Sequence, residues 1–244
     1  MTSRLERARG LVRIWHLPPK QVVKGSNPFA PAKSPRFWKN TIHGQALALL
    51  LSQFDEEVLH LLNHAGESLL ADAVFVAFTL LGMLTVSLMA APFLWAKGKR
   101  EPAIDLVLSV IIVSVLIGLV KLAVDRDRPF ESLDGAVQTI SFYGLAETSG
   151  SSFPSGHAAR IFTVATIISL NVRFPVRIVA FAIAVVVALS RVFLGLHWPT
   201  DVMAGALLGI LVAFAMARLG TFWRPYSAFR HRVVALLGRI RMAR

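Results

Sequence analysis

The amino-acid sequence predicts an all-α protein, a polytopic membrane helix bundle with five or six transmembrane helices. The composition is 55% hydrophobic and 16% charged, with a mean hydropathy of +0.61, whereas a soluble domain carries about 25% charged residues. Five segments approach the roughly 20 mostly apolar residues that cross a bilayer. They run from about Leu69 to Trp95, Pro102 to Val124, Ala158 to Leu170, Val176 to Leu194 and Val202 to Phe222. The net charge of +12 gathers beside these segments, where bases set topology and meet anionic lipid.

Residues 1–42 read as a basic N-terminal tail. Arg4, Arg7, Arg9 and Arg13 precede no apolar run of the signal-peptide kind, and Pro18, Pro19, Pro28, Pro31 and Pro35 argue against a long helix. Residues 43–222 form the membrane domain. At its start, Leu51, Phe54, Val58, Leu61 and Leu62 recur at helical spacing. The adjacent acids Asp55, Glu56 and Glu57 are costly in hydrocarbon. Residues 43–64 therefore read as an amphipathic helix in the interface, with a weak first span as the alternative. Lys97, Lys99 and Arg100, then Arg173 and Arg177, then the basic tail 223–244 all fall on one side of the bundle. The positive-inside rule makes that side cytoplasmic, in a cell membrane. Residues 121–155 and 194–201 then face the extracytoplasmic side. Five spans put the basic N-terminal tail on that side too, against the rule, which long tails obey weakly. The chain has no cysteine, which excludes disulfides, a thiol nucleophile and thiolate metal sites. Nucleic acid is excluded as a partner because the bases sit at membrane boundaries.

Three polar clusters share the extracytoplasmic side. The first is Lys121 to Pro129. Lys121 and Arg128 are two helical turns apart and can share one face, as an oxyanion clamp at a helix end. Asp125 and Asp127 read as partners of Arg126 or Arg128. The second is Pro154-Ser155-Gly156-His157 at a helix start, where Ser155 can cap and backbone N–H groups can take an anion. The third is Ser190-Arg191 followed by His197 and Asp201. His197 and Asp201 can meet across one turn, and a carboxylate on one ring nitrogen raises the basicity of the other. Alone, each cluster has a plain reading: snorkelling bases, a capped helix start, a His–Asp capping pair. Together they match the charge and shape of a phosphoryl group. No acidic cluster at metal-ligand spacing accompanies them, so no metal and no cofactor is expected.

The clusters resemble the three signature motifs of the type-2 phosphatidic acid phosphatase superfamily, Lys-x6-Arg-Pro, Pro-Ser-Gly-His and Ser-Arg-x5-His-x3-Asp. Every defining position matches, and the resemblance covers about residues 54–222. It implies a membrane hydrolase acting on a lipid phosphate or lipid diphosphate among membrane lipids. The compact layout is most similar to bacterial and archaeal polyprenyl (undecaprenyl) diphosphate phosphatases. The resemblance further implies that Lys121, Arg128 and Arg191 hold the phosphoryl oxygens, with Ser155 and Gly156 completing the cradle. His197 would attack phosphorus, held by Asp201, and His157 would serve the leaving group and then water. Arg160, one turn below His157, is a candidate contact for a second phosphate; its plain reading is an ion pair with Glu147 or Asp201. Two other functions share this chemistry or its binding half: a lipid phosphotransferase using the same phosphohistidine, and a silent lipid-phosphate binder or transporter.

Overall fold

The structure is a computed structural model that describes residues 42–63, 69–133, 137 and 150–242. The residues expected as the N-terminal tail lie outside this range up to 41, and so does Glu147. The helices are α1 (Ile42–Asn63), α2 (Leu69–Leu80), α3 (Leu84–Leu88), α4 (Ala90–Ala96), α5 (Arg100–Ala123), α6 (Pro129–Ser132), α7 (Gly156–Asn171), α8 (Phe174–Phe193), α9 (Pro199–Phe222) and α10 (Arg224–Met242). No strand occurs among the described residues. The fold is the expected all-α membrane bundle.

Three of these helices, α5, α8 and α9, are long and apolar enough to cross a bilayer by themselves. Their outward residues, among them Val115, Leu119, Ile178, Val179, Leu207 and Leu211, are exposed. That costs nothing against lipid tails. The expected continuous span over 69–95 is instead broken. It bends by 57° between Leu80 and Leu84, so that Gly82 and its carbonyl face the bundle interior. Broken backbone at membrane depth is tolerated where protein buries it.

The bundle is organised around α7, a helix of 16 residues, 12 of them buried. At about 1.5 Å per residue it is some 24 Å long, short for a lone span. Ala158, Phe162 and Ala165 pack with Ala184, Val187 and Val192 of α8. Val164 and Ile167 pack with Leu106 and Val110 of α5 and Ala213 of α9. The tightest seam lies between α7 and α9. A Cβ on Gly205 would meet the Ser155 carbonyl oxygen at 2.4 Å, and one on Gly209 would meet the Ala159 oxygen at 2.2 Å. Small residues four apart let two membrane helices approach to backbone contact.

The C-terminal segment 224–242 is helical and docked. Arg230 pairs with Asp105 of α5 at 2.7 Å and with Glu101 at 3.0 Å. Tyr226 donates to Asp105 at 2.6 Å. These contacts hold α10 to the end of α5 remote from the polar clusters.

Candidate active site

Helix polarity brings the clusters to one end of the bundle: the C-termini of α5 and α8 and the N-termini of α7 and α9. The links between these ends are laced together. Helix α5 stops at Ala123, and residues 124–128 form a non-helical link with extended backbone at Val124 and Arg128. The expectation that Lys121 and Arg128 share a helix face is therefore corrected. The run Asp125-Arg126-Asp127-Arg128 finds other backbone partners than a further helical turn. Ser152 N–H donates to the Arg126 carbonyl at 2.8 Å, and the Ser152 hydroxyl to the Asp127 carbonyl at 3.2 Å. Lys121 Nζ donates to the Ser151 carbonyl at 2.8 Å. Arg128, fully buried, donates to the Leu196 carbonyl at 3.1 Å and the Gly150 carbonyl at 3.3 Å. The first and second clusters are thus one folded unit.

The third cluster is positioned by the end of α8. Leu196 N–H bonds the Arg191 carbonyl and Gly195 N–H the Val192 carbonyl, with Gly195 at φ +65°. This is a Schellman stop, which favours glycine at that position. His197 N–H also bonds the Arg191 carbonyl, at 3.2 Å. The same turn therefore fixes Arg191 and His197 together. Arg191, fully buried, donates from Nη1 to Thr79 of α2 at 2.8 Å.

His197 lies in the link between α8 and α9 and is fully buried. Its Nδ1 is 3.7 Å from Asp201 Oδ2, ion-pair distance but longer than a hydrogen bond. Its Nε2 has no hydrogen-bond partner among the described residues. Burial pushes the imidazole pKa down to about 4; the Asp201 carboxylate opposes this, and Arg191 and Arg128 add to it. A neutral ring with a lone pair on Nε2 is the form a nucleophile needs. Asp201 Oδ2 also accepts the Trp198 N–H at 2.9 Å, closing the start of α9.

Opposite, Ser155 caps α7, its hydroxyl 3.5 Å from Ala158 N. Gly156 opens the helix, and the buried His157 follows. The break at Gly82 abuts His157: a Cβ there would lie 2.9 Å from His157 Cβ and Cδ2. Arg160 folds back over the helix start. Its Nε donates to the Gly82 carbonyl at 2.9 Å, and Nη2 lies 3.5 Å from His157 Nδ1.

Two expectations change. Asp125 is exposed, and neither its carboxylate nor that of Asp127 forms an ion pair among the described residues. Arg126 instead bridges Asp201 Oδ1 and Asp55 Oδ2 of α1, each at 2.5 Å. The pairing of Arg160 with Asp201 does not occur either, because Asp201 is taken by Arg126, Trp198 and His197. Sequence reasoning missed Asp55, Arg126, Thr200, Thr79 and Gly82. The one available signal was Arg126 itself, a cation inside the first cluster flanked by acids that lie on the outer side.

Buried guanidinium groups, two histidines and a carboxylate beside one of them gather at one end of an apolar helix bundle, the charge and shape that an oxyanion calls for. Residues 102–225 match the PAP2 superfamily, half of the chain, and the chain belongs to that superfamily. It is similar to the YbjG protein of Escherichia coli, 29% identical over 168 residues that cover 66% of this chain and 80% of that one. It is 33% identical over 123 residues to an undecaprenyl-diphosphatase of Sulfolobus acidocaldarius, covering 50% of this chain and 57% of that one. The crystal structure of Aquifex aeolicus LpxE superposes with a TM-score of 0.61 at 29% identity, over 67% of this chain and 94% of that one. The protein is a multi-pass membrane phosphatase.

Proposed function

We propose that the chain hydrolyses a lipid phosphate, with a polyprenyl diphosphate as the favoured substrate, through a phosphohistidine on His197 and without a metal. The observation that carries this is His197 itself: buried, with Asp201 beside Nδ1, Nε2 unbonded among the described residues, and the charges of Arg191 and Arg128 acting on the ring. Lys121, Arg128 and Arg191, with Ser155 and the Gly156 amide, hold the phosphoryl oxygens. Nε2 forms the N–P bond to the terminal phosphorus as its P–O bond to the leaving group breaks (the lipid alcohol of a monophosphate, the lipid monophosphate of a diphosphate), and His157 gives its proton to the departing oxygen. Water then attacks phosphorus and passes a proton to His157. The N–P bond breaks, and inorganic phosphate leaves.

Guanidinium and ammonium groups supply the charge that metal ions supply elsewhere. Among the described residues no three His, Asp or Glu side chains are placed to hold an ion. The diphosphate preference is supported by similarity to the Sulfolobus protein and by Arg160, whose Nη1 would lie 3.1 Å from a Cβ on Gly156, at the helix start that meets the anion. Residues 43–222 form the phosphatase domain, with a basic tail over 1–42 and a basic segment over 223–244 that docks on it through α10, and the active site lies on the extracytoplasmic side of the cell membrane.

The test is phosphate release from purified, phosphate-labelled lipid phosphates and diphosphates with EDTA present, followed by an alkaline denaturing quench. Label should appear on the protein in acid-labile, base-stable form. His197→Ala should abolish both turnover and label, and His157→Ala should trap label from substrates with good leaving groups. Full label in His197→Ala, or a strict need for divalent metal, would refute the reading. Phosphate passed to an added lipid acceptor instead of water would identify a transferase.

A further inference from the structure

The Asp201 carboxylate has two oxygens with two duties. Oδ2 accepts the Trp198 N–H at 2.9 Å and faces His197 Nδ1. Oδ1 accepts Arg126 Nη1 at 2.5 Å. Arg126 Nη2 meets Asp55 Oδ2, also at 2.5 Å. Thr200 crosses the same group: its hydroxyl accepts from Arg126 Nη1 at 2.8 Å and donates to Asp55 Oδ2 at 2.6 Å, and its N–H donates to Asp55 Oδ1 at 2.8 Å. Asp55 and Asp201 are 1% and 0% exposed. Asp55 is thus held by three donors, and the guanidinium, over the Trp198 ring at 5.4 Å, is locked in plane.

We propose that Arg126 and Asp55 are positioning residues for the nucleophile, and that α1 is thereby a working part of the active site. This rests on the phosphohistidine chemistry proposed above. One guanidinium fixes the rotation of Asp201, so that Oδ2 stays behind His197. A lone Arg126 would draw the charge of Asp201 toward itself and away from the imidazole. Asp55 counters that pull with a second carboxylate on the same guanidinium. The pair of acids with one base keeps a net negative charge behind His197, where positive charge develops as Nε2 bonds to phosphorus. A mere staple between α1 and the bundle is already supplied by the two Thr200 bonds to Asp55 and would not need Arg126 to reach Asp201.

Positioning and stapling differ in what they change. Positioning affects phosphorylation of His197 and leaves oxyanion binding to Lys121, Arg128 and Arg191 intact. Stapling loosens both. The full chain, in detergent or nanodiscs, is compared with Asp55→Asn, Arg126→Gln, Arg126→Lys, the Asp55→Asn/Arg126→Gln double variant and the control Asp125→Asn. The single variants should lower kcat and the rate of phosphoenzyme formation by about 10- to 100-fold, as supporting partners behind a working group do. Inhibition by inorganic phosphate should stay within about twofold. Asp55 acts through Arg126, so the double variant should be no slower than Arg126→Gln. Arg126→Lys should recover part of the rate, and Asp125→Asn should match the wild type. Phosphate inhibition weakened as much as turnover, additive losses in the double variant, or an equal loss in Asp125→Asn would overturn the proposal. A wild-type chain that turns over without phosphohistidine would refute the chemistry above. The positioning role is still read in that case: kcat falling alone supports it, and kcat falling with phosphate binding refutes it.

Discussion

His197 stands in a buried link, and neither of its ring nitrogens has a hydrogen-bond partner among the described residues. Its depressed pKa has a consequence for stability. The unfolded imidazole titrates near 6.5, and the folded one near 4. Between those values the unfolded chain binds a proton that the folded chain refuses, so stability falls as the pH drops through this window. The loss should approach about 3 kcal/mol at its acid end. Thermal unfolding at pH 7 and pH 5, without phosphate, should show a larger drop for the wild type than for His197→Ala. Arg160 yields a second prediction at this scale. It touches Gly82 and His157 at the start of α7, beside the proposed acid for the leaving group. Arg160→Ala should slow hydrolysis of a diphosphate more than that of a monophosphate. The selective loss should be about 2–3 kcal/mol, as for a charge-assisted contact. Equal losses would make Arg160 a support for His157 alone.

Among the elements, α7 and α9 decide the most. Their seam has no room for a methyl group at Gly205 or Gly209. Because the opposing atoms are backbone, they cannot rotate away. Gly209→Ala should cost about 3 kcal/mol, the upper end for overpacking, and should lower activity, since α7 carries His157 and α9 carries Asp201. Gly118→Ala in α5, where nothing lies within 4 Å, should instead be neutral or stabilising by up to about 1 kcal/mol. Unfolding temperatures of the two variants in one detergent compare them directly. The break between α2 and α3 is the other element-scale feature. It frees the Gly82 carbonyl to accept from Arg160, which a continuous helix over 69–95 would use in its own ladder.

At the scale of the molecule, the polar site and the docked α10 occupy opposite ends. Arg230, buried among Asp105, Glu101 and the Gly220 carbonyl, fixes a basic helix at the end expected to be cytoplasmic. The site should then open away from the cytoplasm. The chain has no cysteine of its own, so single cysteines report cleanly. One placed within residues 138–149 should react with an impermeant reagent in intact cells, and Lys97→Cys should react only after lysis. The reverse pattern would invert the topology.

The sequence by itself determined the fold class and named most of the residues that gather at the candidate site. Apolar length is a local property, and so is the spacing of His197 and Asp201 or of Pro154 through His157. Charge beside apolar runs likewise sets the expected orientation, which the cysteine labelling above tests. What only the tertiary structure decided was long-range pairing. Asp55 looked like an interfacial acid because three acids in a row are costly in lipid, yet it is buried against Arg126, 71 positions away. Asp125 looked like the natural partner of Arg126 because it is adjacent, but Arg126 turns to Asp55 and Asp201, and Asp125 faces outward. The kink at Gly82 had no mark beyond a single glycine, since an apolar run carries no record of which residue meets His157. Local pattern specifies which elements form and which groups they carry; burial of charge is decided only when distant elements bring a counter-charge to it.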